Sequence, residues 1–418
     1  MKLIKTLTLT SLLALSTIAM AQVEWLPAGN NDLQASQLER SARNLPASLH
    51  HESAPINFAW GPEQALQGRP FNGGPTPAEG DRPQATSRGY FVDVTGAELA
   101  RGVELPLSAP GAVIRVSALE SGSRLSLDPA ALRLNMNGRP ISADFGQGNV
   151  ATGRDLRDQG MRVPEDSLAF RLGRDSSAGQ LQLSHGGLPQ DQALVIHVHE
   201  PNSEWVATLS LPRQNFLSGE ALTFDLGIGN ARQSVSARSV QAVLVSPDAA
   251  QTWPLGHARN GQLTIAAAPM AARMQPGAGL YEARVYAETE VNGVTVRRDL
   301  SLALNIAPAI ARFNGAVSKG RSAGLNLNLG VETIASGRYQ VNAEVYGTNA
   351  RGQLEPLAFV QSAAVLGAGR GSIQLDVDAG LLRSSGLSAP YEVRNLMLLD
   401  QGRMYLLEQR ERALHIAR

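Results

Sequence analysis

Leu325-Asn326-Leu327-Asn328-Leu329 alternates apolar and polar residues without a break. A β-strand turns successive side chains to opposite faces, so this stretch offers one leucine face to a core and one amide face to water. The same period of two recurs outward in both directions. Downstream it marks residues 338–346, 357–366, 373–377, 393–399 and 404–407, with the polar segment 347–352 as a turn. Upstream it marks 222–226, 240–245 and 263–265, then a long hairpin of 281–290 and 294–306 around Asn292-Gly293. Further upstream, 91–94, 113–116, 132–136, 181–183 and 194–199 alternate or are β-branched, and Asn137-Gly138 leads into Pro140-Ile141. Asn-Gly serves tight hairpins because both central positions need a positive φ. The expected fold class is all-β, built as tandem β-sandwich (immunoglobulin-like) domains behind an irregular N-terminal arm.

A chain of 418 residues has room for about three domains. Glu200-Pro201-Asn202-Ser203 and Ala307-Pro308 break the strand pattern, because proline has no N–H for a ladder. The divisions are 1–21, a signal peptide; 22–88, an arm and Gly/Pro-rich linker; 89–203, 204–307 and 308–418, three β-sandwich domains. The last two share an echo. Gly279-Leu280-Tyr281 and Gly337-Arg338-Tyr339 each put Gly-x-Tyr ahead of an alternating strand. The tyrosine corner of immunoglobulin-like sandwiches ties such a ring to upstream backbone, so both rings are expected buried. In the arm, Trp25, Phe58 and Trp60 are expected to pack on a later domain. Asp32 is expected to cap a short helix carrying Leu33, Leu38, Ala42 and Leu45. Residues 61–88 read as linker or loose loop.

Residues 1–21 predict export. Lys2 and Lys5 precede an apolar stretch that ends in Ala19-Met20-Ala21, the small-x-small pattern cut by a signal peptidase, so the mature chain starts at Gln22. The expected location is periplasmic or extracellular. Cysteine is absent, which removes disulfides, thiol catalysis and Cys-ligated zinc. Lys+Arg and Asp+Glu are 37 each, so there is no net charge to draw in nucleic acid. No later stretch is apolar for the roughly 18 residues of a membrane helix.

Motifs for chemistry are few. His197-Val198-His199 places two imidazoles on one face of a strand, the best metal candidate in the chain, with His185 or His257 as a third ligand. Leu194, Ile196 and Val198 form the buried stripe, however, which puts both histidines on the wetter face. His50-His51-Glu52 points adjacent side chains apart. Asp376-Val377-Asp378 and Glu165-Asp166, in the charged loop 153–167, lack the oxygen count of a calcium loop and read as solvated turns. There is no Gly-x-Ser-x-Gly elbow and no His-Glu-x-x-His. Gly367-Ala368-Gly369-Arg370-Gly371 lacks the Lys-Ser/Thr and helix of a phosphate cradle and reads as a hairpin loop. No catalytic residue, cofactor or metal site is assigned.

Several phrases carry a resemblance: Tyr90-Phe91-Val92-Asp93-Val94-Thr95-Gly96-Ala97-Glu98-Leu99, Gly111-Ala112-Val113-Ile114-Arg115, Glu200-Pro201-Asn202-Ser203, Gly337-Arg338-Tyr339 through Asn349, and Leu398-Leu399-Asp400-Gln401-Gly402-Arg403-Met404. Over about residues 88–418 the chain resembles a secreted bacterial family of unknown function with immunoglobulin-like C-terminal domains. The resemblance implies fold and export and names no activity. The expected function is that of an exported, non-enzymatic multi-domain β-sandwich protein that binds or scaffolds a protein or glycan partner. The alternative is a carbohydrate-active enzyme or carbohydrate-binding protein using residues of the first β-domain. Aromatic residues total 5%, few for a large sugar-stacking platform.

Overall fold

The computed structural model describes residues 23–39, 45, 47–48, 52–62, 82–119, 127–141, 150–173, 176–258, 260–270, 279–320 and 323–417. Residues 1–22, read as carrying a signal peptide, together with His50, His51 and residues 63–81, lie outside the described residues. The chain is all-β, as the alternation requires, and forms three tandem sandwiches.

The first sandwich pairs a five-stranded sheet with a four-stranded one. The five strands, in order, are Gly89–Thr95, Ala193–His199, Val113–Ala118, Leu168–Arg171 and Val150–Thr152. The facing strands are Val103–Leu107, Gly179–His185, Leu132–Met136 and Arg139–Ile141. Leu105, Ile114, Leu181 and Ile196, all at 0% exposure, meet between the sheets. The Asn137-Gly138 turn has φ of 52° and 80°, the double positive φ that favours this dipeptide. Two short helices were not expected: Gly96–Arg101, just after the first strand, and Gly153–Asp158, in the segment read as a charged loop. Each begins with a reciprocal cap, Thr95 with Glu98 and Thr152 with Asp155.

The second sandwich packs Leu222–Gly229 and its neighbours against the long hairpin Tyr281–Val291 and Val294–Ala307. One edge strand is Gln84–Ser87, paired with Val206–Ser210. The end of the expected linker is therefore part of the middle module. Four polar and small residues carry no strand signal of their own, and the exposed edge of Val206–Ser210 imposes the extended form.

The third sandwich faces a six-stranded sheet with the three strands Ala311–Lys319, Leu325–Thr333 and Gly369–Val377. Leu325, Leu327 and Leu329 are 2%, 0% and 0% exposed, so the alternation marks the inward face correctly. Residues 367–368 join Leu354–Leu366 in the large sheet to Gly369–Val377 in the small one. They form a crossover between sheets, a correction to the hairpin reading.

Both edges of the six-stranded sheet are completed by the arm. Val23–Trp25 pairs with Tyr405–Ile416, and Ile56–Trp60 with Leu354–Leu366. Trp25 packs on Phe313 at 5.4 Å between ring centroids, and the Arg410 guanidinium lies 4.7 Å from its ring centre. Trp60 is half-buried beside Phe58, which is 50% exposed. The arm thus packs on a later domain, as its aromatics imply. Asp32 to Glu39 is not helical, and Ala42 of the expected helix lies outside the described residues. Leu33 exchanges backbone hydrogen bonds of 2.9 Å with Gln409, and Asp32 accepts from the Gly29 and Glu411 N–H groups. Pairing with the distant Gln409 of the same chain supersedes the expected cap, because it buries Leu33 to 1% exposure.

Both Gly-x-Tyr rings are buried. Tyr281 is 2% exposed and lies against Trp253; Tyr339 is 0% exposed and donates to the Ala335 carbonyl at 2.6 Å. Burial and the Asp400 carboxylate push the Tyr339 hydroxyl above the usual phenol range. Tyr339→Phe strands the Ala335 carbonyl in the core. The expected cost is about 1–3 kcal/mol with the fold kept, read by chemical denaturation.

Candidate functional site

Two places gather polar chemistry: the junction of the first and second sandwiches, and the outer face of the small C-terminal sheet.

At the junction, Glu200 follows the last strand of the first sandwich and Arg298 lies in Val294–Ala307 of the second. They are 1% and 0% exposed. Arg298 donates to Glu200 Oε2 at 2.6 Å, to Ser203 Oγ at 2.8 Å, to Ser108 Oγ at 3.0 Å and to the Trp205 carbonyl. Glu200 also accepts from the Ser108 and Ala109 N–H groups. A desolvated ion pair survives only with its remaining donors and acceptors filled, and this network fills them. Glu200-Pro201-Asn202-Ser203 is thus a punctuation of the strand pattern that supplies the acid of an interdomain bond.

One residue further on, Asp299 accepts from the Phe91 N–H at 2.6 Å, on the free edge of Gly89–Thr95. Burial, with Asp93 nearby adding to it, raises the Asp299 carboxyl to about 6, against the Phe91 bond and Arg297. His197 shares this face. It lies opposite Phe91 and Arg115 in the strand register, and burial first and Arg115 second hold its imidazole below the usual range. Because the folded Asp299 pKa lies above the unfolded 3.8, its charged form costs stability above about 6, and that cost fades as pH falls toward 3.8. Asp299→Asn keeps an acceptor for Phe91. The variant is expected to melt higher than the parent above about pH 7, with the difference vanishing near pH 4 in a series of calorimetric scans.

The structure separates the other expected site residues. His199 continues the His197 face at the exposed end of Ala193–His199, whereas His185 is in the opposite sheet, bonded to the Asp128 carbonyl at 3.0 Å. His257 is exposed in the second sandwich. Among the described residues no three His, Asp or Glu groups stand together as metal ligands. Asp378 caps the helix Ala379–Ser385, and Glu165 pairs with Arg157 at 2.8 Å. Among the described residues no helix is long and apolar enough to cross a membrane.

On the small C-terminal sheet, Arg312, Glu332 and Arg370 lie side by side across three strands. Arg312 donates to Glu332 at 3.2 and 3.3 Å and to the Ser36 carbonyl of the arm. With Asn314 and Ala316 these side chains line a hollow of about 290 Å³. Sequence reading missed it because its parts come from positions 312, 332 and 370. Glu332 is the one lining residue that continues the outward phase of the Leu-Asn alternation.

Residues 46–200 match the N-terminal domain, and residues 310–417 the C-terminal domain, of the domain of unknown function DUF4785. The chain belongs to the DUF4785 family. No curated protein matches it. The crystal structure of a DUF4785 family protein from Legionella pneumophila is similar at 17% identity, with a TM-score of 0.68 over 93% of this chain and 98% of that one. That likeness extends the family's fold across the central sandwich, which neither domain match includes. The C-terminal globular domain of oligosaccharyltransferase from Pyrococcus abyssi aligns at 9% identity over 75% of this chain and 76% of that one. Its TM-score of 0.14 carries no structural argument.

Proposed function

We propose that this DUF4785 chain is an exported, non-enzymatic scaffold that holds three β-sandwiches in fixed relation and binds a protein or glycan partner in the periplasm or outside the cell. The carrying observation is how the modules are joined. The arm completes the third sandwich and gives the second an edge strand, while Glu200 and Arg298 join the second to the first. Rigid modules with outward loops and faces suit binding, because little order is lost when a partner docks. The most buried acids also serve structure: Glu200 bonds Arg298, Asp400 bonds Arg403 and Glu408 bonds Arg410.

The test pairs two measurements on the exported protein. N-terminal sequencing is expected to begin at Gln22, and immobilised mature protein to capture a saturable partner from envelope extract while leaving polysaccharides and peptides uncleaved. An uncleaved cytosolic protein, or turnover of either substrate class, contradicts the proposal. One observation bears on the enzymatic alternative: Asp93 of the first β-domain neighbours Asp299 of the second, whose carboxyl burial raises to about 6, an environment suited to a general acid. Polysaccharide cleavage abolished by Asp299→Asn would establish that reading instead.

A further inference from the structure

We propose that the hollow on the outer face of the C-terminal sheet binds the carboxylate of a uronic acid residue in an acidic saccharide. This inference rests on the binding reading above and names the ligand class. The outer face of the sheet is polar throughout its central rows. Glu332, Gly330 and Asn328 stand opposite Arg370, Ser372 and Gln374 in the register, while the leucines of the same strand point inward.

Charge selects the ligand group. Two guanidinium groups flank one carboxylate, which leaves the hollow one positive charge in excess. Arg312 is committed to Glu332 and Ser36. Arg370 is exposed and, among the described residues, has no hydrogen-bond or ion-pair partner. Its planar fork is therefore available for a two-bond contact with a carboxylate.

Shape and neighbours select the rest. The volume of about 290 Å³ lies at the small end of ligand sites, sized for a single ring. Asn314 sits in a bulge where the register of Ala311–Lys319 slips between Phe313 and Val317, and its Oδ1 accepts from the Ala316 N–H. The bulge leans over Gly330, where a Cβ would come within 2.3 Å of Asn314 Oδ1. Glycine at 330 therefore lets the bulge close down on the sheet, so that Asn314 and Ala316 wall the hollow beside Arg312 and Glu332. Beyond it, Ser372, Asn328 and Gln374 offer hydroxyl and amide groups, which can both donate to and accept from sugar hydroxyls. A carboxylate held at the arginine end would lay the ring and the next sugar along Ser372 and Gln374, the exposed residues that follow Arg370 on its own strand.

Calorimetric titration of the full mature chain at low salt tests the assignment with three probes: sodium glucuronate, glucose and inorganic phosphate. Glucuronate is expected to bind at least about tenfold more tightly than glucose, since only it can engage a charge-assisted bond. Arg370→Ala is expected to weaken glucuronate about tenfold with the melting temperature unchanged, because Arg370 bonds nothing in the fold, and Arg370→Lys to restore part of the loss. Undetectable glucuronate binding, equal binding of glucose, phosphate binding as tight as glucuronate, or an unaffected Arg370→Ala would each overturn the proposal. A saturable envelope partner captured by a chain that ignores glucuronate overturns only the ligand assignment. Turnover of polysaccharide overturns the non-enzymatic reading and leaves the titration result standing.

Discussion

Arg298→Ala is expected to destabilise the protein by about 3–5 kcal/mol, the usual cost of breaking one side of a buried ion pair. The loss is dominated by what remains behind. Glu200 is 1% exposed and would be left buried beside Ser108 without the cation that bonds it. The Trp205 carbonyl would lose two donors at the same time. Pairing Arg298→Met with Glu200→Gln removes both charges, so the double variant is expected to be more stable than Arg298→Ala alone. Chemical denaturation of the three proteins reads the comparison. An Arg298→Ala cost below about 1 kcal/mol, the value of an exposed pair, would mean that the bond does not couple the modules.

Leu33→Ala is expected to cost about 2–5 kcal/mol, which is large for a residue in an N-terminal arm. Leu33 is 1% exposed and belongs to the core of the third sandwich with Phe313, Leu414 and Ile416. Truncation leaves a cavity there, because its own backbone is pinned to Gln409 on both sides and cannot follow the collapse. The arm is also bonded at the seam between the second and third sandwiches. Glu39 accepts from Ser218 and donates its N–H to the Ala309 carbonyl at 2.8 Å. The third sandwich is therefore expected to lose cooperativity along with stability, seen as a broader denaturation transition. A Leu33→Ala variant within about 0.5 kcal/mol of the parent, as for an ordinary surface substitution, would place the arm outside the fold.

The long strands were legible because burial on one face enforces alternation, as in Leu325 to Leu329 and in the hairpin turning at Asn292-Gly293. Short edge strands were not. Val23–Trp25 and Gln84–Ser87 are extended because a neighbouring edge offers them partners, a tertiary cause that leaves no local trace. The helix Gly96–Arg101 was within reach, since Thr95-Gly96-Ala97-Glu98 is a capping-box sequence, but six residues hold no helical periodicity. The polar sites were least legible. Glu200 and Arg298 are 98 positions apart, and Asp299 meets Phe91 across 208. Each reads alone as a charged residue in or beside a strand; only the packing of two sandwiches makes it a bond.

Cleaving the chain between Gly73 and Gly74, through an introduced protease site, tests most directly whether the arm fastens the modules together. The fragment 22–73 carries Val23–Trp25, Leu33 and Ile56–Trp60, all seated in the third sandwich. After cleavage in native buffer, both pieces are expected to elute together on gel filtration and to part only in denaturant. A fragment that elutes alone while residues 74–418 stay folded would contradict the account.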